Sequence, residues 1–171
     1  KVDWQVVILV CSIIIIMIMG VRQSLGLFLD PITSFMKSGK EFFSFAIGVQ
    51  AIIWGLVTFF LGILIDKLGP QKVLAFGIIL FSSGIFLMSN PTSEFVLFSA
   101  TTLMGLGLGG AGMATMVSIA GKVAPVNKRS LAMGLVAAAA SFGQFAVVLP
   151  TMWMNKEFGW ETSLIVLSSI S

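Results

Sequence analysis

Two long runs without a charged residue, joined by a short charged segment, constrain the fold most. Neither the run at 42–65 nor the run at 73–90 contains Asp, Glu, Lys or Arg. About 20 helical residues, at a rise of 1.5 Å each, cross the roughly 30 Å hydrocarbon core of a bilayer. Neither run shows the apolar-polar alternation of barrel strands. We therefore expect two membrane-crossing helices that meet in a tight turn at one membrane surface.

The composition indicates an integral membrane protein rather than a soluble domain. Hydrophobic residues make up 57% of the chain and charged residues 10%, against about 45–50% and about 25% in soluble domains. The chain has no histidine, and its single cysteine, Cys11, lies in an apolar run. We therefore predict no intramolecular disulfide, no metal site and no cofactor. The basic residues lie in short loops, which argues against nucleic-acid binding.

Six apolar spans are predicted along the chain. They lie at about 6–29, 43–65, 73–89, 95–121 and 131–154, with an incomplete sixth at 162–171. Because the sequence begins with Lys rather than Met, we expect both ends to be fragment boundaries. An N-terminus on the inner side places six basic residues inside and three outside. The positive-inside rule then favours a cytoplasmic N-terminus, in a plasma or bacterial inner membrane.

The charged segment between the second and third spans has a recognisable spacing, G-x-x-x-D-K-x-G-x-x-K. It is formed by Gly62, Asp66, Lys67, Gly69 and Lys72. Gly62 would admit a neighbouring backbone, Asp66 could cap a helix, and Gly69 would permit the reversal. The spacing resembles the loop between helices 2 and 3 of the major facilitator superfamily, with Lys67 in place of the usual arginine.

This resemblance implies an all-α membrane bundle that corresponds to the N-terminal six-helix half of a twelve-helix transporter. Such a half consists of 3+3 inverted repeats, and its partner would be a C-terminal six-helix half missing from this sequence. The stretch K-R-x-L-A-x-G-L at 128–135, followed by Gly143 and by Phe158-Gly159-Trp160, resembles the monocarboxylate and oxalate-formate branch. That branch implies a small organic anion as substrate. A sugar or drug transporter, and a six-helix membrane protein without transport activity, remain alternatives.

Arg22 is the only charged residue well inside a predicted span. Intramembrane charges usually face a cavity, and a guanidinium offers a fork of donors that suits a carboxylate. We therefore predict that Arg22 binds an anionic substrate, and the resemblance also implies a basic residue in this part of helix 1. The alternative is that Arg22 reaches the outer headgroups or pairs with Asp30.

Three weaker cavity candidates are Gln50 and Trp54 on helix 2, which are four residues apart, and Gln144 on helix 5. Their alternative role is hydrogen bonding between helices. No span contains Asp or Glu. A coupled proton would then need a carrier in the second half, or the protein would exchange one anion for another. No nucleophile and base pair is present to support an enzyme.

The loop residues Gly62, Asp66, Lys67, Gly69, Lys72 and Arg129 are predicted to form the switch between access states. The alternative is that Asp66 only caps a helix and marks topology.

Close packing is predicted at two faces of small residues. One consists of Gly105, Gly109 and Gly112 on helix 4, and the other of Gly134, Ala138 and Ser141 on helix 5. Pro150 should kink helix 5.

Overall fold

The computed structural model describes residues 3–171, and α-helices dominate this part of the chain. Five continuous helical segments are long and apolar enough to cross a membrane, and Trp160–Ile170 is a shorter apolar helix. The helices are α1 Trp4–Ser24, α2 Leu29–Met36, α3 Lys40–Leu68, α4 Pro70–Met88, α5 Glu94–Ala111, α6 Met113–Val123, α7 Arg129–Ala146, α8 Val148–Phe158 and α9 Trp160–Ile170.

The first span consists of α1, a 3-10 turn at Leu25–Phe28 and α2, so that it continues to Met36, beyond the predicted end at 29. The Asp3 carboxylate caps α1 by accepting a hydrogen bond from the Gln5 N–H at 3.2 Å. The span ends at Lys37, which has the left-handed φ of 51°. The added length places Arg22 much farther from the end of the span than the sequence suggested.

The turn between α3 and α4 is shorter than expected, because residues 66–68 are helical and only Gly69 lies outside a helix. Gly69 has φ 83° and ψ 149°, a region that is essentially restricted to glycine. Its N–H donates to the Ile65 carbonyl at 2.9 Å. Pro70 then opens α4 with a φ already suited to a helix. The expected close approach at Gly62 is wrong for the described residues, since none lies within 4 Å of a Cβ built there.

The fourth and fifth spans are both interrupted. Gly112 is extended, with ψ −172°, and separates α5 from α6, where the sequence predicted one continuous span. Val147 separates α7 from α8, three positions before Pro150. A proline ring clashes with the carbonyl four residues earlier, here that of Ala146, so the end of α7 at Ala146 has a direct steric cause.

The most extensive packing joins α4 to α5, α3 to α5 and α1 to α7, while α9 packs on α4. In terms of spans, the second packs on the fourth and the fifth on the first. These two pairings exchange with each other when spans 1–3 are exchanged with spans 4–6, as inverted repeats require. The superposition of the two halves stays a prediction.

Glycines on α5 permit its close contact with two neighbouring helices. A Cβ at Gly105 would lie 2.8 Å from the Gln50 carbonyl on α3, and one at Gly107 would lie 2.7 Å from the Gly77 carbonyl on α4. The small-residue face predicted for the fifth span, which begins with α7, is wrong, because a Cβ built at Gly134 has no neighbour within 4 Å. This helix, α7, instead buries the opposite face, formed by Ala132, Val136, Ala140 and Gly143.

Candidate functional site

Arg22 borders a cavity of about 430 Å³ between the first span and the first half of α3. The arginine is half-buried, and the chain rises roughly 20 Å from it to the end of the span at Met36. That distance exceeds the reach of an arginine side chain, so the geometry does not favour contact with headgroups beyond Met36. The cavity is also lined by Gln23, Leu25, Gly26, Leu29, Phe43, Ser44, Ile47 and Gln50.

The indole of Trp54 covers one face of the Arg22 guanidinium. The Arg22 Cζ atom lies 4.7 Å from the centroid of the Trp54 ring, within the range of a cation–π interaction. This contact uses none of the guanidinium N–H donors, so they stay available for another partner. The Arg22 Nε is buried and has no hydrogen-bond partner within residues 3–171. The sequence brought Arg22 and Trp54 together only as members of one cavity, not as a stacked pair.

No carboxylate from the described chain balances the charge of Arg22 in this cavity. Asp30, the alternative partner, instead forms an ion pair with Lys40. The Lys40 Nζ lies 2.6 Å from the Asp30 Oδ1, and both side chains are exposed. This is the only salt bridge within residues 3–171. Neither Asp nor Glu is among the residues that line the cavity. The site is therefore a half-buried cation with unused donors and no acidic neighbour.

Gln50 enters the same cavity from α3, one helical turn before Trp54. Its side chain is almost fully buried, and its Nε2 has no hydrogen-bond partner within residues 3–171. Gln144 does not join this group, because it lies exposed on α7 and lines none of the cavities found around the described residues. Trp54 also borders a second cavity of about 380 Å³ with Thr58, Leu108, Met113, Ala114 and Val117.

A known protein family matches almost the whole chain. The family model described as Major Facilitator Superfamily matches residues 6–171. The chain belongs to this superfamily. The match extends over all of the described helices except the first residues of α1.

Three similar proteins have different names. The Agnestins efflux protein AgnL12 of Paecilomyces divaricatus is 28% identical over 60% of this chain and 24% of its own length. The vesicular acetylcholine transporter of Drosophila melanogaster is 38% identical over 55% of this chain and 16% of its own. The uncharacterized MFS-type transporter YcxA of Bacillus subtilis is 24% identical over 87% of this chain and 36% of its own. The chain thus spans between 16% and 36% of the relatives it matches.

The residues predicted to form the access switch lie apart from the Arg22 cavity. Asp66, Lys67 and Lys72 are exposed around Gly69, and within residues 3–171 no salt bridge joins Asp66 to Arg129. The stem of Arg129 instead lies near α6, with its Cγ 4.0 Å from a Cβ built at Gly121. The structure therefore gives the geometry of the loop around Gly69, whereas the role of this loop in switching stays a prediction.

Sequence reasoning missed two polar groups and two contacts. Gln23 and Ser44 line the cavity, although only the position of Gln23 next to Arg22 could have suggested this. The Asp30–Lys40 pair depends on the left-handed turn at Lys37, which no residue pattern announced. Lys128 also places its Nζ 5.6 Å from the centroid of the Trp4 ring. That contact joins the start of the first span to the loop between α6 and α7.

Proposed function

We propose that this chain is part of a secondary transporter that carries small organic anions, of the monocarboxylate kind, across a membrane by alternating access. The observation that carries the proposal is the half-buried Arg22 guanidinium, which borders a cavity of about 430 Å³ without an acidic partner. A buried charge is stable when it is paired. An anionic solute would provide that partner when it enters from water.

The chemistry of the cavity favours a carboxylate over a neutral or cationic solute. The Trp54 ring holds the guanidinium by a cation–π contact, and a carboxylate can accept two parallel N–H bonds from a guanidinium. Gln23, Gln50 and Ser44 add neutral donors, and none of them introduces a negative charge. A cationic solute would meet the Arg22 charge and find no carboxylate among the lining residues.

The remaining features of the proposed transporter follow from the same residues. No acid lines the cavity, so the counter-ion is a proton carried by a group elsewhere in the protein, or a second anion in exchange. A further six-helix half would complete the cavity. The protein lies in the plasma or bacterial inner membrane with its N-terminus in the cytoplasm. Gly62, Asp66, Lys67, Gly69, Lys72 and Arg129 then lie at the cytoplasmic surface and form the access switch.

The test is uptake by the complete gene product in proteoliposomes, with lactate, formate, oxalate and a neutral sugar as solutes. Replacing Arg22 by Gln removes a charge-assisted bond worth about 1.5–3 kcal/mol, which corresponds to a roughly ten- to a hundredfold loss in affinity for the anions. Arg22→Lys should retain part of the activity, because the charge stays while the planar fork is lost. Gln5→Leu, at the exposed start of α1 and outside every predicted site, is the matched control.

Two outcomes would contradict the proposal. One is that Arg22→Gln transports the anions as well as the wild type at equal protein content. The other is that the wild type transports the sugar but none of the carboxylates.

A further inference from the structure

The arginine and its stacked tryptophan leave one buried polar group without a role, namely the side-chain amide of Gln50. Only 1% of Gln50 is exposed, and its Nε2 has no hydrogen-bond partner within residues 3–171. A buried N–H group without a partner is costly, and most such groups in proteins are paired. Because Gln50 lines the Arg22 cavity and its terminal amide can turn about χ3, a molecule in that cavity can supply the missing acceptor.

Gln50 and Arg22 border the cavity from different helices, Arg22 from α1 and Gln50 from α3. Gln50 lies four residues before Trp54 on α3, and side chains with this spacing share one face with their Cβ atoms about 5–6 Å apart. The Trp54 ring in turn contacts the Arg22 guanidinium. A carboxylate that pairs with the Arg22 fork through both of its oxygens leaves the Gln50 amide, on another helix, available to a further acceptor of the same solute.

The packing around α3 fixes the position of Gln50. The backbone carbonyl of Gln50 lies against Gly105 of α5, where a Cβ would approach it to 2.8 Å. This crossing leaves α3 little freedom to rotate or to withdraw the amide from the cavity. A polar group held in this way is preorganised for its partner.

We propose that Gln50 determines specificity, by donating a hydrogen bond from its Nε2 to a second acceptor oxygen of the anion whose carboxylate is bound by Arg22. The inference rests on the proposed function and narrows its substrate class. The favoured solutes are small carboxylates that carry a hydroxyl, oxo or second carboxyl oxygen a few atoms from the first carboxylate. Carboxylates with a plain hydrocarbon tail fill the same space but leave the amide unpaired.

The test compares two pairs of solutes in which a methyl group is replaced by a hydroxyl group. The pairs are butyrate with 3-hydroxypropionate, and pentanoate with 4-hydroxybutyrate. For each pair, the ratio of kcat/KM values, hydroxyl over methyl, is measured in proteoliposomes with the complete gene product. Such a ratio is independent of protein content, so a loss of folded protein does not alter it. The wild type should prefer at least one hydroxy acid over its methyl partner.

Gln50→Leu should lower that ratio roughly two- to tenfold, the effect expected for the loss of one neutral hydrogen bond. Gln50→Asn keeps the amide but withdraws it by one methylene, so the preference should shift toward the longer 4-hydroxybutyrate. Gln5→Leu removes an exposed amide of the same size from the start of α1, outside every predicted site, and should leave both ratios unchanged.

An unchanged ratio in both Gln50 variants would overturn the specificity role, as would a wild type without preference for either hydroxy acid. That result is distinguishable from failure of the proposed function. If Arg22→Gln loses carboxylate uptake while the Gln50 ratios stay constant, only the present inference fails. If the wild type transports no carboxylate, both fail.

Discussion

The two ends of α3 differ in a way that separates structure from recognition. In its first half, which we call the packed end, Gln50 lines the Arg22 cavity and packs against α5, and Trp54 contacts Arg22 of α1. Near its end, Gly62 and Asp66 are exposed and make few contacts within the described chain. The exposed end carries the superfamily spacing that made the chain recognisable. The packed end carries the side chains that can bind a solute, and no motif marks it.

This contrast indicates that the two ends are constrained by different partners. The packed end is fixed by helices within this chain, so its geometry is already defined in residues 3–171. The exposed end is held to α4 only by the turn at Gly69, with its positive φ, and by a small apolar cluster of Leu61, Ile65 and Val73. If its other residues act in a switch, they do so through groups that this chain does not place beside them. Mutations at the two ends should therefore affect different properties, stability at one and turnover at the other.

The largest expected difference is in stability, between Gly105→Val and Gly62→Val. A side chain at Gly105 meets the Gln50 backbone at 2.8 Å, so α5 must move away from α3. Overpacking of this kind costs typically 1–3 kcal/mol, and we expect the upper part of that range because the opposing atom is backbone. Gly62 has no neighbour within 4 Å, so its substitution should change stability by less than about 0.5 kcal/mol.

The measurement is thermal unfolding of both variants in one detergent, followed by tryptophan fluorescence. Equal melting temperatures for the two variants would contradict the packing difference between the ends of α3. A large loss at Gly62 alone would indicate that a neighbour outside residues 3–171 contacts that glycine.

The packed end of α3 was only partly predictable from sequence. Arg22 could be identified because it is the only charge within an apolar span, and Gln50 and Trp54 because four residues bring side chains onto one helical face. Gln144 could not be placed. In a membrane helix both the packed and the lipid-facing sides are apolar, so hydrophobic periodicity does not fix the rotation of the helix about its axis.

The same ambiguity explains the wrong prediction for α7, where the buried face is that of Ala132 and Ala140 rather than that of Gly134. Glycine is small enough for a packed face, but it is equally compatible with an open one. The membrane fold itself was predictable, and the superfamily match confirms it. The extent of the first span was not, because the 3-10 turn at Leu25–Phe28 continues the span without any residue that marks it.

An intermediate effect is expected at the exposed end, on turnover rather than on affinity. Asp66→Asn removes a charge that lies far from the Arg22 cavity, so the KM for the anion should change little. If Asp66 stabilises one access state, kcat should fall about fivefold, which corresponds to roughly 1 kcal/mol. The measurement is the initial rate of uptake over a range of substrate concentrations, with Asp30→Asn as the control. An unchanged kcat would support the alternative that Asp66 only marks topology.

The smallest effect is expected for the ion pair that joins the packed end of α3 to the first span. Lys40 is the first residue of α3, and its Nζ lies 2.6 Å from the Asp30 carboxylate, with both side chains well exposed. Exposed pairs contribute about 0–1 kcal/mol, because water screens the charges and two side chains lose freedom. A double-mutant cycle of Asp30→Asn and Lys40→Gln, with stability measured by thermal unfolding, should give a coupling energy below about 1 kcal/mol.

Because the pair is exposed, that coupling energy should shrink further when the salt concentration is raised from 0.1 M to 1 M, as the Debye length falls from about 10 to 3 Å. A coupling well above 1 kcal/mol that persists in high salt would mean that the pair is shielded from water.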